Sequence, residues 1–472
     1  MPDPSIQTEP TASALASPSA PPNRSGAKSA LMIVFLVVFI DLLGFGIVIP
    51  LLPRYGDRYV KVLLPSEAAN GVEGESRASG AVLGLLMASF SAMQFFFAPV
   101  WGRISDRVGR RPILLVGLVG SVLFYLLFGY ASDLPAEWAA LALTLLFVSR
   151  IGAGVAGATI ASAQAVIADC TTPERRKHGM ALIGAAFGIG FTFGPLVGFA
   201  SLSLFPDNHG AIGYAAAALS FLALILGLLL LPETRHFEEA PPLRRRWFDW
   251  RTTREVLSRP ALAPIVLIFF LATLGFGGFE PTLALLIKDT LHLDEQNSFL
   301  VFAYVGLVLV LTQGLLYRRL ANRLSEVTFM AMGISLMSLG LVMLGGVTWM
   351  GAEYTASLGE KWTAAEHPQE FRLLLGCMLA SMTLAVIGFA FLTPSAQALI
   401  SRRSDPAKQG EILGVNQSAA SLARILGPVF GLILYKLTPS HLLPYLFGAA
   451  LLLVMLPLLP RIRREDTSIS LP

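Results

Sequence analysis

The sequence predicts an all-α integral membrane protein: twelve transmembrane helices in two pseudo-symmetric six-helix bundles. Three observations lead there. Charged residues are only 14% of 472 and hydrophobic ones 54%, with a mean hydropathy of +0.65, whereas soluble domains are nearer a quarter charged. The apolar residues gather into twelve stretches, each long enough to cross about 30 Å of hydrocarbon at about 1.5 Å per residue. The second half of the chain also repeats the first.

The stretches come in order as Ser29–Pro53, Ala78–Gly102, Pro112–Ser132, Trp138–Ala168, Gly179–Pro206 and Gly210–Pro232, then Pro260–Ile287, Gln296–Tyr317, Val327–Ala352, Leu373–Ser401, Ile412–Tyr435 and Leu442–Pro460. Residues 1–28 are Pro/Ser/Ala-rich and read as a disordered tail, because they carry too little apolar surface to order themselves. The apolar stretch that follows is too long for a signal peptide and lacks a small-residue cleavage pattern. Of the 35 Lys and Arg, 25 fall on the side shared with both termini and 7 on the other. That bias places both termini in the cytoplasm, with the protein multi-pass in an inner or plasma membrane. Residues 233–259, which contain Arg244–Arg246, form a cytoplasmic loop between an N-terminal bundle (29–232) and a C-terminal bundle (260–460). Residues 461–472 are a short cytoplasmic tail.

The repeat is ordered. Ser162-Ala163-Gln164-Ala165 returns as Ser395-Ala396-Gln397-Ala398, Gly194-Pro195 as Gly427-Pro428 and Gly198 as Gly431, all at an offset of 233. Leu43-Gly44-Phe45-Gly46 with Pro50 returns as Leu274-Gly275-Phe276-Gly277 with Pro281, at an offset of 231. Parallel six-helix repeats predict a transporter whose substrate site lies between the halves near the midplane.

Charges within the spans are few, and each is costly unless it faces a cavity or a partner. Asp41 lies roughly 16 Å into helix 1, near the midplane. There a lone carboxylate is suited to carrying a proton, though a permanent pairing with Gln94 is the alternative. Glu280, beside Pro281 in the outer third of helix 7, could receive a proton or a cationic substrate, or could simply meet water at the interface. Arg150 requires an acid or several carbonyls and could couple to protonation. Arg424 precedes Gly427-Pro428 in helix 11. With Gln94, Gln164, Thr393, Gln397, Asn416 and Gln417 it completes the cavity candidates, of which Gln164, Thr393, Gln397, Asn416 and Gln417 could equally bond helix to helix. Gly190, Gly194 and Gly198, spaced by four, let helix backbones approach, and Pro195 kinks the same helix.

Between helices 2 and 3 runs Gly102-Arg-Ile-Ser-Asp106-Arg107-Val-Gly109-Arg110-Arg111. A short turn here calls for glycine at positive φ, read at Gly102 and Gly109, and the arginines suit an anionic membrane surface. This loop resembles the signature loop of the major facilitator superfamily. Three further segments resemble that family's drug:proton antiporters, the tetracycline-resistance-like ones in particular: Asp41-x-x-Gly44 with Pro50-x-x-Pro53, Arg150-x-x-x-Gly154, and Gly190-x-x-x-Gly194-Pro195-x-x-Gly198. Ala181 and Phe199 depart from the glycines usual in the last pattern. Helix 9 carries no acid where tetracycline exporters carry one, which argues for another substrate. The resemblance implies that Asp106 meets the start of helix 11 and that Arg110 meets Asp169. By the repeat, Glu326 stands in the place of Arg110 and Arg402 in that of Asp169. Both signs are switched, so a second latch, Glu326–Arg402, is expected to help hold the outward-facing state.

The expected activity is therefore proton-coupled efflux, by antiport and alternating access, of a lipophilic or cationic small molecule. Its rivals are proton symport or facilitated uptake of a metabolite, with Arg150 or Arg424 holding an anionic group, and a non-transporting receptor or scaffold. No phosphate-binding loop, His/Cys cluster or hydrolase motif occurs in the sequence. We thus expect no enzyme activity, cofactor or metal, and the proton gradient as energy source. The partners expected are a small-molecule substrate and the lipid bilayer, without nucleic acid, for a monomer.

Overall fold

A computed structural model describes residues 24–64, 72–159, 162–163, 166–167, 170, 176–234, 250–321, 323–358, 365–403 and 409–462. Among them, eleven helical segments are long and apolar enough to cross a membrane, and Gly188–Leu204 is a shorter apolar twelfth. We number these spans 1 to 12: 32–63, 77–105, 110–132, 136–157, 188–204, 211–230, 263–291, 295–321, 326–358, 368–403, 412–437 and 443–462. An even number of spans leaves both ends of the chain on one side, and we call the opposite side distal.

Span 1 is broken. The helix Arg24–Val48 stops at a turn around Pro50, and a second helix, Leu52–Leu63, starts with Pro53 in its first turn. Proline fits there because the first turn has no intrahelical use for its missing N–H. Span 4 is shorter than the apolar run that predicts it. Its helix ends at Gly157, residues 158–159 form a turn, and Ser162 and Ala163, helical again, donate to Thr159 O at 2.8 and 3.1 Å. Hydropathy registers the apolar run and is blind to this backbone break. Gly102 also differs from expectation: it lies within the helix Val72–Val108, and only Gly109 takes positive φ, at 113°.

The repeat is visible as three-dimensional contacts. A Cβ on Gly46 (span 1) would lie 2.7 Å from Gly190 O, and one on Gly194 (span 5) 2.7 Å from Gly46 C. In the second half, a Cβ on Gly427 (span 11) would lie 2.8 Å from Gly277 C (span 7), and one on Gly431 2.6 Å from Gly278 O. Gly46 with Gly194 and Gly277 with Gly427, which align in the repeat, thus meet backbone to backbone, span 1 on span 5 and span 7 on span 11. Between halves, span 2 packs along span 11 and span 5 along span 8. A Cβ at Gly84 would meet Val429 Cα at 2.6 Å, and one at Gly306 would meet Phe191 O at 2.7 Å. Both approaches lie toward the distal end. Farther along the same spans 2, 8 and 11, a Cβ at Gly102, Gly314 or Gly414 would meet nothing within 4 Å.

Candidate functional site

Where spans 1, 5, 7 and 8 converge, a pocket is lined by Gly46, Ile49 and Pro50 from span 1, Phe191 and Pro195 from span 5, Phe276, Phe279, Glu280 and Leu283 from span 7, and Phe302 and Val305 from span 8. Glu280 supplies its acidic group. Its carboxylate Oε1 is sealed from solvent and has no hydrogen-bond partner. Pro281 follows it inside the helix, and the Thr282 hydroxyl satisfies the neighbouring Gly278 and Phe279 carbonyls at 3.0 and 2.9 Å. Glu280 thus lies on the face of span 7 that meets spans 1 and 5 of the first half.

Two arginines lie within electrostatic reach of Glu280. Arg150, on span 4, is buried at 3% exposure, with its guanidinium 4.5 Å from the centre of the Phe90 ring and its Nε and Nη1 lacking hydrogen-bond partners. A desolvated cation over an aromatic face recovers only part of its lost hydration, so the position is poised to respond to a neighbouring charge. Arg424, on span 11, remains exposed at mid-span and donates to Ser421 Oγ at 3.1 Å. Gln417 and Gln397 are likewise exposed, whereas Asn416 is buried at 3% with Oδ1 unpartnered. Gln94 donates to Gly157 O at 3.2 Å and Thr393 to Phe389 O at 3.0 Å. Asp41 lies in the first helix, but its side chain, like that of Asp106, is outside the described residues, as are Gln164 and Asp169 entirely.

The turn after span 2 is held by a residue that motif reading missed. Glu233, just past span 6, accepts from the backbone N–H of Arg110 at 2.9 Å and of Arg111 at 3.1 Å, capping span 3. A carboxylate is well placed at a helix N-terminus because it meets unsatisfied N–H groups. Arg110 also donates to Ser105 Oγ at 2.7 Å, and Arg111 to Leu228 O at 2.7 Å; Arg107 is exposed. In the second half, Arg402 stands 3.5 Å from Glu326. Because this pair exists while the distal ends are together, its presence does not by itself mark an outward-facing state. Gly198 faces the other half, where an added Cβ would strike the Phe299 ring at 2.5 Å.

The family model of the Major Facilitator Superfamily matches residues 34–360 and 371–470. The chain belongs to the major facilitator superfamily. Within that family it is 32% identical to the class E tetracycline resistance protein of Escherichia coli over 413 residues, 86% of this chain and 88% of that one. It is 28% identical to major facilitator superfamily domain-containing protein 10 of Homo sapiens over 447 residues, 88% and 89% of the two chains. Among solved structures, the human organic anion transporter MFSD10 superposes with a TM-score of 0.59 at 24% identity, covering 93% of this chain and 100% of that one. A D-xylose-proton symporter superposes with 0.66 at 17%, covering 90% and 97%. These superpositions show the shared fold of this transporter superfamily, whose members move solutes through a site between the two halves. The pocket holding Glu280 is at that boundary.

Proposed function

We propose that this protein exports a lipophilic or cationic small molecule in exchange for protons, with Glu280 and Asp41 as the proton-carrying groups. The observation that carries the reading is Glu280: an unpartnered carboxylate oxygen in an aromatic-lined pocket, formed by both halves and within reach of two arginines. Protonation removes the cost of holding that charge in an apolar wall, and a cationic or polarisable substrate competes for the same carboxylate. The tetracycline resistance relatives support drug export as the class. The lysine and arginine excess on the side of the termini supports cytoplasmic ends in an inner or plasma membrane.

A specific observation supports a second reading. Arg424 is exposed at mid-span and within electrostatic reach of Glu280, and a relative's structure is titled an organic anion transporter. On this reading the cargo carries a carboxylate or other anionic group and docks on Arg424.

Energised inside-out vesicles with a pH-reporting dye separate the two. A panel of lipophilic cations and anions is added to wild type, Glu280→Gln, Asp41→Asn and Arg424→Gln. A cation that dissipates the gradient in wild type and not in Glu280→Gln supports the first reading. An anion whose effect vanishes in Arg424→Gln supports the second. Equal dissipation in all four proteins removes both.

A further inference from the structure

The helix Leu52–Leu63 sits at the distal end, and its two faces are bound to different halves of the protein. Residues three to four apart share a helix face. One face carries Tyr55, Gly56 and Tyr59. The Tyr59 hydroxyl lies 2.9, 3.1 and 2.8 Å from the carbonyls of Ala131, Ser132 and Leu134, and a Cβ at Gly56 would press on Leu83 at 2.7 Å. That face is anchored to the first half. The other face carries Arg54, Asp57 and Lys61. Arg54 donates to Asp294 O at 3.0 Å and Ser298 Oγ at 2.7 Å, both in the second half.

Asp57 is the centre of the charged face, with 1% of its side chain exposed. Its Oδ1 accepts from Lys436 of span 11 at 2.7 Å. Its Oδ2 faces Lys61, one turn on in its own helix, at 3.0 Å, and Lys288 of span 7 at 3.5 Å. One carboxylate thus serves three ammonium groups, two across the boundary between halves and one on its own side. Asp289, which accepts from the Tyr435 hydroxyl at 3.1 Å and stands 4.0 Å from the His441 ring nitrogen, is the nearby acid of the second half.

We infer that Leu52–Leu63 is the distal gate and that Asp57 acts by exchanging partners: it holds Lys288 and Lys436 when the gate is shut, and keeps Lys61 when the halves part. A buried carboxylate that lost all its counter-ions on opening would make separation prohibitively costly. The intrahelical lysine travels with Asp57 and removes that penalty. In the shut state the same lysine is surplus, adding a third positive charge around one negative charge, so it also weakens closure. Asp57 and Lys61 therefore bias the gate in opposite directions although they form one ion pair. The inference rests on alternation of the two halves and is independent of the cargo and of proton coupling.

The test is gate opening itself. In protein with Cys170 and Cys377, neither of them in a disulfide, replaced by serine, Val305→Cys places a single reporter in the pocket behind the gate. A membrane-impermeant maleimide is applied from the distal side of sealed vesicles. Asp57→Asn leaves three lysines facing one another, and the initial labelling rate is expected to rise about tenfold. Lys61→Met is expected to lower it about threefold. If Asp57→Asn does not yield a monodisperse protein, Lys288→Met/Lys436→Met tests the same release and is expected to raise labelling. The inference is overturned if Lys61→Met raises labelling as Asp57→Asn does, or if the rate is unchanged in all variants.

Discussion

The two halves share a backbone frame and differ in their charges. Gly46 against Gly190 and Gly194 is matched by Gly277 and Gly278 against Gly427 and Gly431, so the same helix crossing is built twice. At the offset of 231, however, Glu280 corresponds to Ile49 and Asp41 to Ala272. Ile49 and Glu280 line the same pocket. The duplicated positions set where backbones touch, and the positions that depart from the repeat carry the groups that can change charge. Symmetry thus makes the boundary between halves, and its violation gives the two sides of that boundary different chemistry.

The largest expected effect comes from moving the acid across that boundary. Glu280→Ile should lower gradient-driven transport about a hundredfold, the scale of losing a required proton-transfer group. Ile49→Glu/Glu280→Ile returns a carboxylate to the pocket from the opposite wall and should recover about tenfold of that loss. Transport assayed in reconstituted vesicles at equal protein content decides it. A double variant as inactive as Glu280→Ile would mean that the wall, and not only the pocket, specifies the acid.

Much of this was legible in the sequence, for identifiable reasons. Helix number follows from hydropathy, a local property, and the paired halves from a repeat at offsets of 231 and 233 that needs no knowledge of contacts. Glu326 and Arg402 could be paired because the repeat supplies a register for residues 76 apart. The distal gate was not found, since Leu52–Leu63 lies beyond a proline break in an apolar run and its charges look like an ordinary connecting loop. The signal was nevertheless present: Arg54, Asp57 and Lys61 fall on one helical face and Tyr55 and Tyr59 on another. Glu233 was overlooked as a cap because its partners are over 120 residues earlier, at |i−j| of 123 and 122. The pocket's aromatic lining needs four spans to be brought together, which no single-segment pattern encodes.

A smaller effect tests how closely the two crossings match. A Cβ on Gly46 would meet Gly190 O at 2.7 Å, whereas one on Gly277 has its nearest neighbour, Ala423 O, at 3.7 Å. Gly46→Ala should therefore destabilise the protein by about 1–3 kcal/mol through overpacking, and Gly277→Ala by no more than about 0.5 kcal/mol. Thermal unfolding in detergent measures both. Equal losses would show that the first crossing can relax as readily as the second.

Smaller again is the effect expected at the ends of spans 9 and 10. Glu326 and Arg402 are 28% and 50% exposed, and a pair so open to water contributes at most about 1 kcal/mol. Single reversals, Glu326→Arg or Arg402→Glu, should slow transport about threefold, and the double reversal should restore it. If the double variant is as slow as the worse single one, the contact carries no energy in the cycle.

The smallest effect concerns pH at the distal end, where His209 of the first half meets Glu295 of the second at 3.2 Å. The hydrogen bond to Glu295 raises the His209 pKa above its ordinary value, against the opposing effect of burial, while Arg58 lowers it and Asp133 raises it. Tyr55 also packs edge-on against the ring, with centroids 6.0 Å apart. A raised pKa means that the shut gate binds the proton more tightly than the open one. Its contribution to closure is therefore complete below about pH 6.5 and is lost as pH rises through the raised value. The Val305→Cys reporter should label faster from the distal side as pH rises from about 6 to 8, once each rate is divided by that of unfolded protein at the same pH. In His209→Gln the corrected rate should be flat. A slope that survives this substitution would move the pH dependence to other groups of the gate and leave the His209–Glu295 contact as packing alone.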